Sequence, residues 1–183
     1  MVHDPSKPLN DMYADIGEFH TKFKLMPFTD FAAMPDDLIK FREKFLEEEA
    51  TETIRAMREG NHPEVLDGLI DLAYVALGTL YLMGTDRSML LNTRYTMNIT
   101  SLAEISEGIS LTINHYEYLV DLAGSCRKIA MIMGYNFDVG WHRVHEANMS
   151  KVRTERPADS KRGSGWDVVK PEGWRSPILE DLV

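Results

Sequence analysis

The stretch Phe45–Gly78, FLEEEATETIRAMREGNHPEVLDGLIDLAYVALG, decides how this chain is read. It breaks at Gly60-Asn61-His62-Pro63, where a glycine ends one helix and a proline opens the next at a position that needs no N–H donor. At about 100° per residue, Leu38, Phe41, Phe45 and Ala56 of the first helix share one narrow sector. Glu49 and Glu52 fall inside that sector and Glu48 lies at its edge, whereas Lys40, Glu43, Glu47 and Arg58 take the opposite, solvated side. The second helix is apolar around most of its circumference, from Val65 and Leu66 to Ala76 and Leu77. Its acids, Glu64, Asp67 and Asp71, form a single stripe at i, i+3 and i+7. Gly68 shares the stripe, and its lack of a side chain is expected to leave space beside the carboxylates.

Carboxylates set in apolar stripes are costly when unpaired, and like charges one turn apart repel. Two such stripes on consecutive antiparallel helices call for something positive between them. A hard divalent cation meets that need with oxygen ligands and retained waters, and it commonly binds together with phosphates. The competing arrangement pairs the acids with Arg42, Arg55 or other basic side chains, although no Lys or Arg lies within the second of these helices.

Outward from this pair, Met12, Ile16, Phe19 and Phe23 mark an earlier helix, and residues 24–35, with two prolines, read as a loop. The acid-bearing helices are expected from Asp36 or Asp37 to Arg58 or Glu59 and from Pro63 to about Met83. A connector over 85–100 leads to helices near Ser101–Ile113, His115–Met133 and Asp138–Met149. Beyond Arg153 prolines and glycines replace periodicity, which predicts an irregular C-terminal segment. The stretches from Asp71 and Asp121 share five of fourteen positions, fewer than duplication would need and consistent with two similar amphipathic helices. Strand signals are scarce, so the expected class is all-α, in one domain spanning 1–183.

The 29 acids against 20 Lys and Arg give 183 residues a formal charge of −9, which argues against nucleic acid or an anionic membrane as general partners. With Cys126 alone, no intrachain disulfide forms, as suits a reducing compartment. Met1–Asn10 lacks the apolar core of a signal peptide, and the apolar run Leu72–Met83 is too short to span a bilayer. The expectation is a soluble, cytoplasmic protein.

The pattern Glu48-Glu49-x-x-Glu52, followed after a short turn by EVLDGLIDLAYVALG, resembles the all-α nucleotide pyrophosphohydrolases, the MazG-like and phosphoribosyl-ATP pyrophosphohydrolase-like superfamily. EFHTKF at Glu18–Phe23 is similar to the family's first helix, and WHRVHEANMSKV at Trp141–Val152 to its last. SKRGSGWDVVKPEGW resembles the tail of phage-type members. The likeness covers roughly residues 9–84 and 138–177. Two departures stand out. Many members carry Glu-x-x-Asp on the second acidic helix, but Gly68 stands three residues before Asp71. The acid role passes either to Asp67 with Asp71, the pairing favoured here, with Glu64 as an outer ligand, or to Glu64 with Asp67. The other departure is an inserted helical element at about 87–137, suited to dimerisation or substrate selection.

The resemblance implies hydrolysis of a nucleoside triphosphate between the α and β phosphates, giving a monophosphate and pyrophosphate. Mg²⁺, or Mn²⁺, held by Glu49, Glu52, Asp67 and Asp71 would orient the triphosphate and activate water. Glu48 is the candidate general base, with an exposed salt bridge as its other reading. By the same resemblance Asn148 and Lys151 would contact the nucleotide, and Lys161 and Arg162 would close over the phosphates. Seven basic residues between Lys151 and Arg175, against four acids, make the tail (151–183) a phosphate gripper or else a mobile solvated segment. Trp166 and Trp174 either stack on a base or, more simply, anchor the tail, and His20 either borders the base pocket or sits on the helix surface. His142 and His145 lack an acid in zinc-hydrolase spacing and are given no metal.

A di-iron bundle fails because Glu59 and His62, its only Glu-x-x-His pair, straddle the break. A His-Asp phosphohydrolase fails because the sole such dipeptide is His3-Asp4. The non-enzymatic alternative is an oligomeric helical protein that only sequesters nucleotide. The apolar girth of the third helix predicts a homo-oligomer, dimer or tetramer, with part of that helix at the interface. The expected substrate is a purine deoxynucleotide such as dGTP or dATP, by likeness to the phage-type tail.

Overall fold

The computed structural model describes residues 7–92, 97–107, 116–154 and 156–183. Six α-helices carry the described chain: α1 (Lys7–Lys22), α2 (Asp36–Glu59), α3 (His62–Leu82), α4 (Ile99–Ser106), α5 (Tyr116–Ile132) and α6 (Phe137–Met149). The only described strands, β1 (Val152–Arg153) and β2 (Val168–Val169), form a two-residue antiparallel ladder in the tail. The all-α expectation holds. The helix expected over Ser101–Ile113 is described as α4 with one further residue, and residues 108–113 lie outside the described residues.

α2 ends where Gly60 turns left-handed, at φ 67°, and its N–H caps the carbonyls of Ala56 and Met57. Asn61 and Pro63 then start α3. Thr53 stands against Gly68, and Glu49 faces Asp71 one turn further along each helix, so the two helices run antiparallel. A Cβ on Gly68 would lie 2.4 Å from the Thr53 hydroxyl and 3.1 Å from its Cα. Gly68 therefore lets the two helix backbones close together, and it also lines a small hollow shared with the acids, the space the sequence suggested.

α3 is the core. From Val65 to Leu82 every residue except Asp67, Asp71 and Tyr81 is buried, covered by α1, α2, α5 and α6. It is the one described helix long and apolar enough to cross a membrane, and it lies inside the protein. The insertion supplies much of this cover through α5, whose Leu119, Val120, Leu122, Ala123 and Cys126 are buried. α3 consequently presents no apolar face to a second subunit, and the argument for an interface on that helix falls.

The described part of the tail packs back against the bundle. Trp174 Nε1 donates to the Ala147 carbonyl (3.0 Å), and Trp166 Nε1 donates to Asp37 (3.1 Å). Both indoles act as anchors. Arg143 pairs with Asp181 through two nitrogens, at 2.5 and 2.9 Å.

Candidate active site

α2 and α3 bring their acid stripes to one cavity of about 540 Å³, with the tail forming its opposite wall. Every residue proposed from the sequence lines it: Glu48, Glu49, Glu52, Asp67 and Asp71 on the helical side, Asn148, Lys151, Lys161 and Arg162 on the other. A hollow of about 60 Å³ beside it is lined by Glu49, Glu52, Glu64, Asp67 and Asp71, with Arg55 as its one basic residue.

The electrostatics of the acids follow from this crowding. Burial, and then the charges of Asp71 and Glu52, push Glu49 well above the ordinary carboxylate range. Asp67 is pushed up to about 7 by burial and by Asp71 and Glu64, against the pull of Lys170 and Lys151. Burial likewise raises Asp71, while Lys151 and Lys170 oppose the rise. Lys151 is itself held below its ordinary value by burial, with Asp71 opposing. The positive charge at hand does not balance the negative.

Glu48 differs. Its two oxygens accept from Lys161 Nζ and Arg162 Nε, both at 2.7 Å. Burial alone would raise its carboxyl, but these hydrogen bonds and charges outweigh it and hold Glu48 below the usual range. In this arrangement Glu48 is a counter-ion, the salt-bridge reading weighed from the sequence. Arg162 also reaches Glu49 (3.5 Å) and Asp167 (3.4 Å), and its guanidinium lies 3.8 Å from the Phe45 ring centroid. Asp167 is buried and accepts from Ser160 Oγ at 2.7 Å, which fixes the loop. The competing arrangement paired the acids with Arg42, Arg55 or other basic side chains; Arg55 borders the smaller hollow, and the other cations that face the acids come from the tail.

Aromatic rings also line the cavity: Phe19, Phe41, Phe45, Tyr74 and Trp166. His20 closes it and is buried, not on the helix surface. Its Nδ1 lies 2.8 Å from the Ile16 carbonyl, and burial with the nearby Arg42 charge lowers its pKa to about 3. The ring is therefore neutral, donates through Nδ1, and leaves Nε2 without a hydrogen-bond partner among the described residues. Arg42 is fully enclosed and donates to Thr79 Oγ1 (2.9 Å) and the Val75 carbonyl (2.6 Å). Sequence reasoning named Arg42 only as a possible partner of the acids and Lys170 only as one of seven basic tail residues, without giving either a place in the site; both line the cavity. Lys170 stacks on Trp174 (4.3 Å), as does Lys151 from 5.6 Å. The doubled lysines around one tryptophan were a signal available only once the tail was known to fold back.

Does the donor set suit a metal? The α2/α3 cluster offers only carboxylate oxygens, three of them raised by burial and then by their neighbours' charges, which matches a hard dication. It is not drawn tight. Among the described residues, the group whose ligand atoms lie within 4.8 Å of one another is Asp15, Glu18 and His145, at another place in the fold.

The fold is thus all-α, with acid stripes on α2 and α3 facing basic residues of the tail across one cavity. Comparison with known families agrees: the family model described as phosphoribosyl-ATP pyrophosphohydrolase matches residues 16–93, which places this part of the chain in the MazG-like all-α pyrophosphohydrolase superfamily. No curated protein and no solved structure matches the chain. The matched segment takes in the C-terminal part of α1, from Ile16, and the whole of α2 and α3, and it ends before Asn148, Lys151 and the tail.

Proposed function

We propose that the chain hydrolyses a nucleoside triphosphate to the monophosphate and pyrophosphate with a divalent cation, Mg²⁺ or Mn²⁺. The observation that carries this is a single cavity in which buried, mutually repelling carboxylates face a set of tail cations. Glu49, Glu52, Asp67 and Asp71 would hold the ion, with Glu64 beyond them. When bound, the ion neutralises the triphosphate and lowers the pKa of water. Lys151, Lys161 and Arg162 pair with phosphate oxygens, and Asn148 and Lys170 complete that wall. A triphosphate that draws Lys161 and Arg162 to itself releases Glu48, which then serves as the general base. The aromatic rings of the cavity take the nucleobase, with Phe45 and Trp166 as walls.

Within this reading the preferred substrate is a purine deoxynucleotide, dGTP or dATP, in a phage-type enzyme acting in the cytoplasm. The experiment is a panel of ribo- and deoxyribonucleoside triphosphates, with phosphoribosyl-ATP included, incubated with Mg²⁺ and analysed for products. Pyrophosphate with monophosphate supports the proposal. Orthophosphate with diphosphate points to a different hydrolase, and tight binding without turnover points to a nucleotide-sequestering protein.

A further inference from the structure

We infer that Asp15, Glu18 and His145 form a second cation site, on the seam between α1 and α6, suited to a borderline transition-metal dication such as Zn²⁺. This rests on residues outside the proposed catalytic set and stands independently of it. One ligand atom from each residue lies within 4.8 Å of the other two. Ligands of one zinc ion stand about 3–4 Å apart, so closing the group takes a small adjustment. Glu18, whose side chain is 67% exposed, is free to make it.

The donors are aimed from behind. His145 is only 9% exposed, and its Nδ1 lies 3.0 Å from the Tyr74 hydroxyl, which fixes the ring. Its Nε2 faces Glu18 Oε2 at 3.6 Å, beyond hydrogen-bonding distance, and makes no hydrogen bond among the described residues. Asp15 is oriented by Trp141 Nε1, which donates to Oδ2 at 2.8 Å and leaves Oδ1 for a ligand. A ligating histidine whose second nitrogen is held by a buried partner, beside an anchored carboxylate, is the supporting arrangement that metal sites use. In the tautomer in which Nδ1–H donates to Tyr74, the Nε2 lone pair faces the carboxylates.

Imidazole nitrogen with two carboxylates favours a borderline dication, in contrast to the all-oxygen set between α2 and α3, which suits Mg²⁺. Asp15 and Glu18 share a face of α1 at i, i+3, and His145 comes from α6, so a bound ion staples the first helix to the last. Tyr74, which holds His145, also lines the catalytic cavity and hydrogen-bonds Asn148. The ion would sit one side chain behind the cavity wall.

The test uses the full chain carrying both Glu49→Gln and Asp71→Asn, so that the cavity acids no longer compete. Calorimetric titration with Zn²⁺ and absorption with Co²⁺ are expected to show one equivalent bound, a ligand-field band, and a higher Tm. Adding Glu18→Gln should weaken binding at least tenfold, and adding His145→Gln should remove the Co²⁺ band. Because Glu18 is exposed, its variant keeps the fold even if the buried His145 variant does not. Absence of saturable Zn²⁺ binding, or binding that Glu18→Gln leaves unchanged, overturns the site.

Discussion

Glu48 and Arg162 show how one residue's role depends on what else occupies the cavity. With nothing bound, Arg162 divides itself among Glu48, Glu49 and Asp167, and its guanidinium covers Phe45. Glu48→Gln removes the proposed base while keeping most contacts of the loop, so kcat is expected to fall about 10²–10⁴-fold with Tm little changed. Arg162→Ala instead removes a phosphate partner and is expected to raise KM more than it lowers kcat. Steady-state kinetics on the two variants separate these outcomes, and equal kcat losses in both would remove the distinct role given to Glu48. Gly68 makes a packing prediction. A methyl there meets the Cα of Thr53 at 3.1 Å as well as its hydroxyl. Rotating the threonine relieves only the hydroxyl contact, so Gly68→Ala is expected to cost about 1–3 kcal/mol in chemical denaturation.

At the scale of elements, the acid-bearing hairpin was legible because helical periodity is local: Glu49, Glu52, Asp67 and Asp71 could be placed on inward faces from spacing alone. What spacing cannot show is which distant segment faces them. Asp167 and Ser160 fix Arg162, and Trp174 sits between Lys151 and Lys170, through contacts that depend on how an irregular tail folds back. Asp15 and His145 are 130 positions apart, so their meeting was hidden for the same reason. Gly84 belongs to this level too. It takes φ +71°, and a Cβ there would strike the Phe28 carbonyl at 2.4 Å, so the end of α3 and the loop after α1 are locked together. The C-terminal turn is fastened to α6 by Arg143, which holds the Asp181 carboxyl below its ordinary range through hydrogen bonds and charge. A depressed carboxyl contributes stability above its unfolded pKa and loses it as pH falls through the folded value. Acidification below about pH 4 is therefore expected to loosen residues 178–183 ahead of the core, seen as faster amide exchange there. Arg143→Ala should show the same loosening already at neutral pH.

For the whole molecule, cover for α3 comes from within the chain, and the element at 87–137 does through α5 what a partner subunit would otherwise do. A homo-oligomer would have to use another surface, and the α5–α6 corner leaves Met131, Ile132 and Val139 exposed. Light scattering at micromolar concentration measures the mass: a dimer or tetramer that Ile132→Glu dissociates places the interface there, and a monomer removes the assembly. The cavity also affects global stability. Glu49, Asp67 and Asp71 are raised because burial and mutual repulsion disfavour their charged forms, so at neutral pH the metal-free protein carries strain between α2 and α3. A bound dication removes it, and mass action adds stability in proportion to the logarithm of its concentration over Kd. After chelation, the native protein is thus expected to gain Tm on adding Mg²⁺. Protein carrying Glu49→Gln and Asp71→Asn lacks two of the repelling charges; it should begin with the higher Tm and respond little to Mg²⁺. If instead the double variant melts lower than the chelated native protein, these carboxylates stabilise the bundle through partners of their own and are not waiting for a cation.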